Sequence, residues 1–326
     1  MSEELRCPAT DGTEQSESLR LNDERVNMGD GLQDWFIHHG DCIPHMAEEM
    51  DAESVDLAVF SPPFPSLYSY TSEECDIGNT ATVDAEAKIH LSFFFKALKR
   101  VLKPGRVAIV HVCQIPRMKR NGEVGLFDFR GLNIRLGERA GLVYEYDWCI
   151  RKNPQAQAIR TRSRELQFAG LESDRAKSRG AIADYLIKFR APGENAVPVV
   201  SDGEVTRNNW IDWAESTWSD IVETDTLNVA AGRGEKDTRH ICPLQLEVYR
   251  RCILLFSNPG ELVFDPFTGI GSCGFMALGG RSPKSKKHIA EPRRFYGCEI
   301  KPEYYTAATE VLQDIPRNTV REVMLF

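Results

Sequence analysis

The sequence predicts an α/β protein built on a doubly wound, mainly parallel sheet. Two observations carry this. Short apolar runs, at residues 55–60, 107–112 and 261–265, alternate with amphipathic stretches, as parallel strands joined by crossover helices require. Two of the runs also end abruptly in loops of distinctive composition, and in open α/β sheets ligands bind beyond the carboxyl ends of strands. A third observation divides the chain. Residues 152–236 lose the alternation and read as an insertion into a domain formed by residues 34–151 and 237–326.

Taken in order, residues 1–33 are polar, acidic and without periodicity, the pattern of a disordered leader. Residues 35–39 read as the first strand. Gly40-Asp41 follows, and Asp41 suits the N-cap of a helix over 42–50. Residues 55–60 form a buried strand that runs straight into Ser61-Pro62-Pro63-Phe64. The two prolines stop the strand and stiffen the loop, because each fixes φ and lacks an N–H donor. Residues 66–80, with Tyr68 and Tyr70, read as a lid over a site or as a long loop.

Residues 83–101 repeat apolar side chains at helical spacing, with Leu91, Phe94, Phe95, Leu98 and Val101 on one face. Lys103-Pro104-Gly105 reads as the stop, with the next strand at 107–112 and another at 142–150. Within 152–236, Trp210, Trp213 and Trp218 fit one buried helix face better than base stacking. An amphipathic helix then reaches Phe256, and Asn258-Pro259-Gly260 ends it. The strand at 261–265 leads into Pro266-Phe267-Thr268-Gly269-Ile270-Gly271-Ser272-Cys273-Gly274 and a helical pattern. Its glycines permit a tight turn and close approach of backbone to a ligand. A last short strand ends in Glu299, an acid placed to hold ribose hydroxyls.

Composition narrows the function. No stretch of eighteen apolar residues suggests a transmembrane helix, and the N-terminus lacks a secretory pattern. Nine scattered cysteines without a Cys-x-x-Cys pair favour free thiols in a cytoplasmic protein. The histidines form no metal-binding spacing, and His38-His39 reads as strand packing, so no metal is expected. The net charge of −8 conceals an asymmetry. Residues 1–60 hold about 15 acids against 3 bases, which leaves the remainder net positive. Residues 96–120 hold about eight bases and no acid, and Lys96, Lys99, Arg100 and Lys103 among them read as solvated helix faces. Residues 151–190 hold about ten bases against four acids, and read as a phosphate-binding surface.

Asp265-Pro266-Phe267-Thr268-Gly269-Ile270-Gly271 resembles the S-adenosyl-L-methionine loop of amino-type DNA methyltransferases, and Ser61-Pro62-Pro63-Phe64 resembles their catalytic tetrapeptide. The order, catalytic loop first and cofactor loop last, resembles the permuted β-type arrangement. The resemblance covers residues 34–112 and 238–313, more loosely 148–154. It implies a Rossmann-like methyltransferase sheet with S-adenosyl-L-methionine as cofactor. Asp41, Asp265, Pro266, Phe267, Thr268, Gly269, Gly271, Ser272 and Glu299 would hold it. It implies catalysis by Ser61, Pro62, Pro63 and Phe64, with the 152–236 insertion as target-recognition region. Arg160, Arg162, Arg164, Arg175, Lys177 and Arg179 there are the candidate DNA contacts. His240 with Cys242-Pro243 partly matches a His-Pro-containing segment that packs beside the cofactor in the family. The basic run at 281–287 lengthens the link from Gly271 to Glu299 relative to that pattern.

The implied substrate is double-stranded DNA, and the implied partner class a cognate restriction endonuclease, with the enzyme a monomer or homodimer. An exocyclic base amine is a poor nucleophile because its lone pair is delocalised into the ring. The Ser61 hydroxyl and the Pro62 carbonyl would hold its hydrogens, and Phe64 would stack on the flipped base. Ser-Pro-Pro leans towards the N4 amine of cytosine over N6 of adenine. An oxidoreductase reading of the glycine loop gives Ser61-Pro62-Pro63-Phe64 no role, and a cytosine-C5 enzyme needs a nucleophilic Cys, usually after Pro, a dipeptide absent here. A catalytically inactive DNA-binding protein is the remaining alternative.

Overall fold

The computed structural model describes residues 34–65, 71, 75–79, 86–117, 125–200, 203–227 and 243–315. The expectations for the leader at 1–33, for Tyr68 and Tyr70, and for residues 237–242 lie outside this set. In chain order the strands are β1 (Trp35–His39), β2 (Val55–Phe60), β3 (Leu102–Cys113), β4 (Ile115–Pro116), β5 (Leu126–Phe127), β6 (Val143–Ile150), β7 (Asp184–Arg190), β8 (Thr217–Trp218), β9 (Leu262–Asp265) and β10 (Arg294–Glu299). The helices are α1 (Cys42–Pro44, continued by a π-helical turn His45–Glu49), α2 (Glu86–Val101), α3 (Phe129–Arg139), α4 (Pro154–Thr161), α5 (Phe168–Ser173), α6 (Arg207–Trp213), α7 (Leu246–Phe256), α8 (Ser272–Ala277) and α9 (Pro302–Gln313).

The main sheet runs β1-β10-β9-β2-β3-β7-β6-β8, and β4-β5 is a separate hairpin. All pairings from β1 to β3 are parallel. β7 runs antiparallel to both β3 and β6. The sheet is therefore mainly parallel, as the sequence predicts.

The period-2 geometry of strands explains the two cores. Leu57, Val59, Ile109, Val263 and Phe295 face one side, where α7, α8 and α9 bring Leu246, Ile253, Met276, Tyr304 and Ala308. Ala58, Phe60, Ala108, Val110, Phe264 and Tyr296 face the other, against Leu91, Phe94 and Leu98 of α2 and Phe129, Leu132 and Leu136 of α3. Burial on both faces is why β2 carries no exposed residue. The predicted apolar face of α2 is buried in full. Each such side chain contributes about 1.5–3 kcal/mol relative to exposure.

Three expectations need correction. The helix ends at Val101 as expected, but Lys103-Pro104-Gly105 does not separate it from the next strand: β3 begins at Leu102, directly after α2. Gly105 sits at φ +72°, and its N–H donates to the Ala191 carbonyl. Residues 152–236 are not outside the sheet either, because Asp184–Arg190 forms β7 between β3 and β6. The three tryptophans share no single helix face. Trp210 is exposed, Trp213 is buried on α6, and Trp218 is buried on β8. Trp213 and Trp218 accept the cationic face of Arg251 on α7, and Arg251 also pairs with Glu247 and Asp220. This fastens the 203–227 segment to the sheet.

Candidate active site

Four loops at the carboxyl ends of neighbouring parallel strands make one cleft. Gly40 and Asp41 follow β1, Ser61 to Phe64 follow β2, Pro266 to Ser272 follow β9, and Glu299 and Ile300 end β10. Including its open mouth the cleft encloses about 1160 Å³.

The loop after β9 is held from within. Asp265 accepts from the Phe267 N–H at 3.0 Å, and the Thr268 hydroxyl donates to the Asp265 carbonyl. Gly269 and Gly271 take φ of +57° and +89°, values that cost a side chain strain. At Gly274 a Cβ would lie 2.7 Å from the Phe295 ring, so only glycine lets α8 pack this closely on β10. Glu299 crosses to the same loop: one carboxylate oxygen accepts from the Gly269 N–H at 2.7 Å, the other from the Lys301 N–H at 2.9 Å. The predicted ribose acid is thus also a brace for the glycine loop.

These two acids are buried away from water. Burial pushes the Asp265 carboxyl up to about 8, with the nearby Glu299 adding to the rise. Burial likewise pushes Glu299 up to about 7. The second Asp265 oxygen and the Ser272 hydroxyl are buried without a hydrogen-bond partner among the described residues. A buried acceptor left open is costly, and a cationic donor such as an α-ammonium would satisfy it. Apolar Phe267, Ile270, Ile300 and Tyr304 line the rest of this half. Carboxylates amid apolar walls fit S-adenosyl-L-methionine. Asp41 is the N-cap, accepting from the Ile43 N–H at 2.9 Å, and burial raises its pKa.

Ser61-Pro62-Pro63-Phe64 faces the same cleft. Phe64 lies 5.7 Å from the Phe129 ring. Ser61 Oγ is 2.9 Å from His111 Nδ1 and 3.4 Å from the His111 carbonyl. His111 Nε2 lies 3.0 Å from Asp184, and the Lys152 ammonium 2.5 Å from the same carboxylate oxygen. The Nε2 approach is close but off the hydrogen-bond axis. Burial alone would raise the Asp184 carboxyl, but pairing with His111 and Lys152 holds it below the usual range.

Sequence reasoning did not find His111, Asp184 or Lys152 as site residues. One signal was present, a histidine inside the apolar run at 107–112. It also missed Cys75, Asp76, Tyr249 and Tyr304, which line the cleft from elements outside the motifs. Asp76 is buried and accepts from the Thr71 and Gly78 N–H groups. Pro243 and Leu244 line the cleft beside Tyr249, where the His-Pro-like segment was expected.

The basic segment divides. Lys188 and Arg190 pair with Glu145 across the sheet, and Lys152 with Asp184, so these three bases are engaged within the protein. Arg179 pairs with Glu165 and Lys177 with Asp174. Arg160, Arg162, Arg164 and Arg175 are exposed, and none makes an ion pair among the described residues. His38, His45 and Glu49 each bring one ligand atom within 4.8 Å of the others. The two rings stack at 3.7 Å and 10°, so their in-plane lone pairs run side by side instead of converging on an ion. His45 is engaged by Glu49 and Tyr296.

A mainly parallel sheet with a glycine-loop cleft of this kind defines a methyltransferase fold of the S-adenosyl-L-methionine-dependent class. Residues 55–310 match the DNA methylase family of N6/N4 amino-methyltransferases, and the chain belongs to that family. Among solved structures, it is similar to a DNA modification methylase of Thermus thermophilus complexed with S-adenosyl-L-methionine. That match has a TM-score of 0.61 and 20% identity, and covers 86% of this chain and 94% of that one. It is similar also to the PvuII cytosine-N4-specific DNA methyltransferase, with a TM-score of 0.59 and 18% identity, covering 87% and 88%. In sequence it is 33% identical over 82 residues to the Type II methyltransferase M.Cfr9I of Citrobacter freundii, and equally to M.XycI of Xanthomonas campestris pv. cyanopsidis. Each match covers 25% of this chain and about a quarter of the relative. Among the described residues no helix is long and apolar enough to cross a membrane.

Proposed function

We propose that this protein moves a methyl group from S-adenosyl-L-methionine to the exocyclic amine of a base flipped out of double-stranded DNA, with N4 of cytosine as the target. The observation that carries the reading is convergence. The loops after β2 and β9, hydrogen-bonded neighbours in the sheet, line one cleft although some two hundred residues separate them. Asp265 to Ser272, Asp41 and Glu299 hold the cofactor, with Asp265 facing its cationic end. When bound, the cofactor supplies an electrophilic sulfonium methyl.

The chain's own residues prepare the nucleophile. Ser61 Oγ and the Pro62 carbonyl accept the two amine hydrogens, which frees the nitrogen lone pair from the ring. Phe64, backed by Phe129, stacks on the base. Alignment of amine and methyl supplies much of the rate. The exposed Arg160, Arg162, Arg164 and Arg175, with Ile159 and Phe168 exposed beside them, form the DNA-facing surface, and Lys177 and Arg179 extend it. A restriction endonuclease reading the same site is the partner class such an enzyme serves.

Nucleosides from DNA treated with pure protein, resolved by mass spectrometry, test the reading. N4-methylcytosine is expected. N6-methyladenine alone would overturn the cytosine assignment and keep the chemistry, and no modified base would overturn both. Ser61→Ala should lose at least about 10²-fold in transfer rate while cofactor affinity holds.

A further inference from the structure

We propose that the His111–Asp184 pair orients the Ser61 hydroxyl as an acceptor and takes up, through it, the proton that the target amine sheds. The inference rests on the methyl-transfer reading above and deepens it.

A serine hydroxyl has one hydrogen and two lone pairs. To accept from the amine, its own hydrogen must point elsewhere. Two acceptors compete for it, His111 Nδ1 at 2.9 Å and the His111 carbonyl at 3.4 Å, and the shorter wins on distance. Nδ1 can accept only if the ring's proton sits on Nε2. That nitrogen lies 3.0 Å from the Asp184 carboxylate, the group that favours an Nε2–H tautomer. Lys152, buried and paired with the same carboxylate oxygen, keeps Asp184 ionised. Nε2 lies off the hydrogen-bond axis here, and such bonds commonly tighten only once substrate is bound.

The same arrangement disposes of a proton. Methyl transfer forms a carbon–nitrogen bond from the amine lone pair and leaves the nitrogen cationic. One N–H bond then breaks, its electron pair staying on nitrogen. The proton passes to Ser61 Oγ as the Ser61 proton passes to His111 Nδ1. The imidazolium is held by Asp184 until solvent removes the proton. His111 thus acts through Ser61 and is a positioning residue. The groups facing it are Ser61 from the loop after β2, Asp184 from β7 and Lys152 from the turn after β6. Cys149 on β6 lies near Asp184 as a neutral thiol, its pKa raised by burial and by that carboxylate.

Asp184→Asn is nearly isosteric, but its amide donates to Nε2 and reverses the tautomer, turning Nδ1–H towards Ser61. His111→Gln keeps an acceptor but cannot titrate. Single-turnover transfer to DNA should fall about 10²-fold or more in Asp184→Asn and less in His111→Gln. Cofactor affinity and melting temperature, measured alongside, verify that each variant folds. Long-range proton–nitrogen NMR of the apoprotein reads the tautomer without any activity: Nε2–H in the wild type, Nδ1–H in Asp184→Asn. An Nδ1–H wild type, or unchanged rates in both variants, overturns the inference. A wild type that methylates no DNA instead overturns the functional reading, and with it the step this pair serves.

Discussion

The two halves of the cleft solve opposite electrostatic problems. On the cofactor side, Asp265 and Glu299 are buried acids, no cation pairs with Asp265 among the described residues, and both pKa values are driven upward. On the catalytic side, Asp184 is flanked by His111 and Lys152, and its pKa is driven downward. The first half is built to receive a positive charge. The second already contains its counter-charges and presents only a neutral hydroxyl to the cleft. Under the proposed function, one cleft thereby takes a cationic cofactor and an uncharged amine without offering the cation a second resting place.

Removing the receiving acid should produce the largest break in this contrast. Asp265→Ala is expected to weaken S-adenosyl-L-methionine binding by roughly 10- to 100-fold, the worth of a charge-assisted bond. Calorimetry reads it, and melting should show that the fold survives. Unchanged affinity would move the cofactor's cationic end elsewhere. In the wild type near pH 7, cofactor binding should also release a proton, because pairing ionises an Asp265 that is protonated below about 8. Titrations in buffers of different ionisation enthalpy detect that release, and Asp265→Asn should abolish it.

Stability against pH sharpens the comparison further. An acid whose pKa rises on folding binds its proton more tightly in the native state. Its contribution is present at low pH and lost as pH rises through the folded value. For Glu299 and Asp265 that window runs from about 4 to about 8. Asp184 has the opposite sign: its contribution is present above the unfolded pKa and lost as pH falls through its lowered folded value. The apoprotein should therefore lose stability between pH 5 and 8, by up to about 1.4 kcal/mol per pH unit for each raised acid. Chemical denaturation across that range checks this. A flat profile would show that the two acids ionise freely.

On the proposed reading the exposed arginines concern affinity for DNA alone. Replacing Arg160, Arg162 and Arg164 together should lower the slope of log affinity against log salt by up to about 2.7. Cofactor affinity should not change. An unaltered slope would place the DNA surface elsewhere. The smallest effect is expected at Glu145, whose pairs with Lys188 and Arg190 are partly solvated. Glu145→Gln should cost under about 1 kcal/mol in a denaturant melt.

Much of this architecture is legible in the chain. β1, β2, β9 and β10 read within a residue of their ends, because each is a short run followed within two residues or less by the Gly, Pro or Asp of a loop, or ended by the acid Glu299. The loops after β2 and β9 are legible for a related reason: glycine and proline constrain backbone shape locally, so they show without the fold. β7 was not legible. Tyr185, Ile187 and Phe189 alternate with Leu186, Lys188 and Arg190, and the charges drew the reading towards a surface. Only the pairing with Glu145 on β6 reveals those bases as sheet neighbours. The π-helical turn at His45–Glu49 was hidden too, since a helical pattern over 42–50 does not distinguish the hydrogen-bond register. His111 needed Asp184, 73 positions away, before its role could be seen.

The order of the sheet also has a consequence for biosynthesis. β2 and β3 pair soon after both are made, but β1 has only β10 as a neighbour, and some 255 residues lie between them. At about 5–20 residues per second the ribosome needs roughly 10–50 s to supply that partner. Through this interval Trp35 to His39 and one edge of β2 carry unpaired backbone groups, a template for wrong association. The cofactor loop sits between β9 and β10, the last strands to arrive. A chain interrupted before them would display the catalytic loop on an unclosed sheet, without the means to bind a methyl donor.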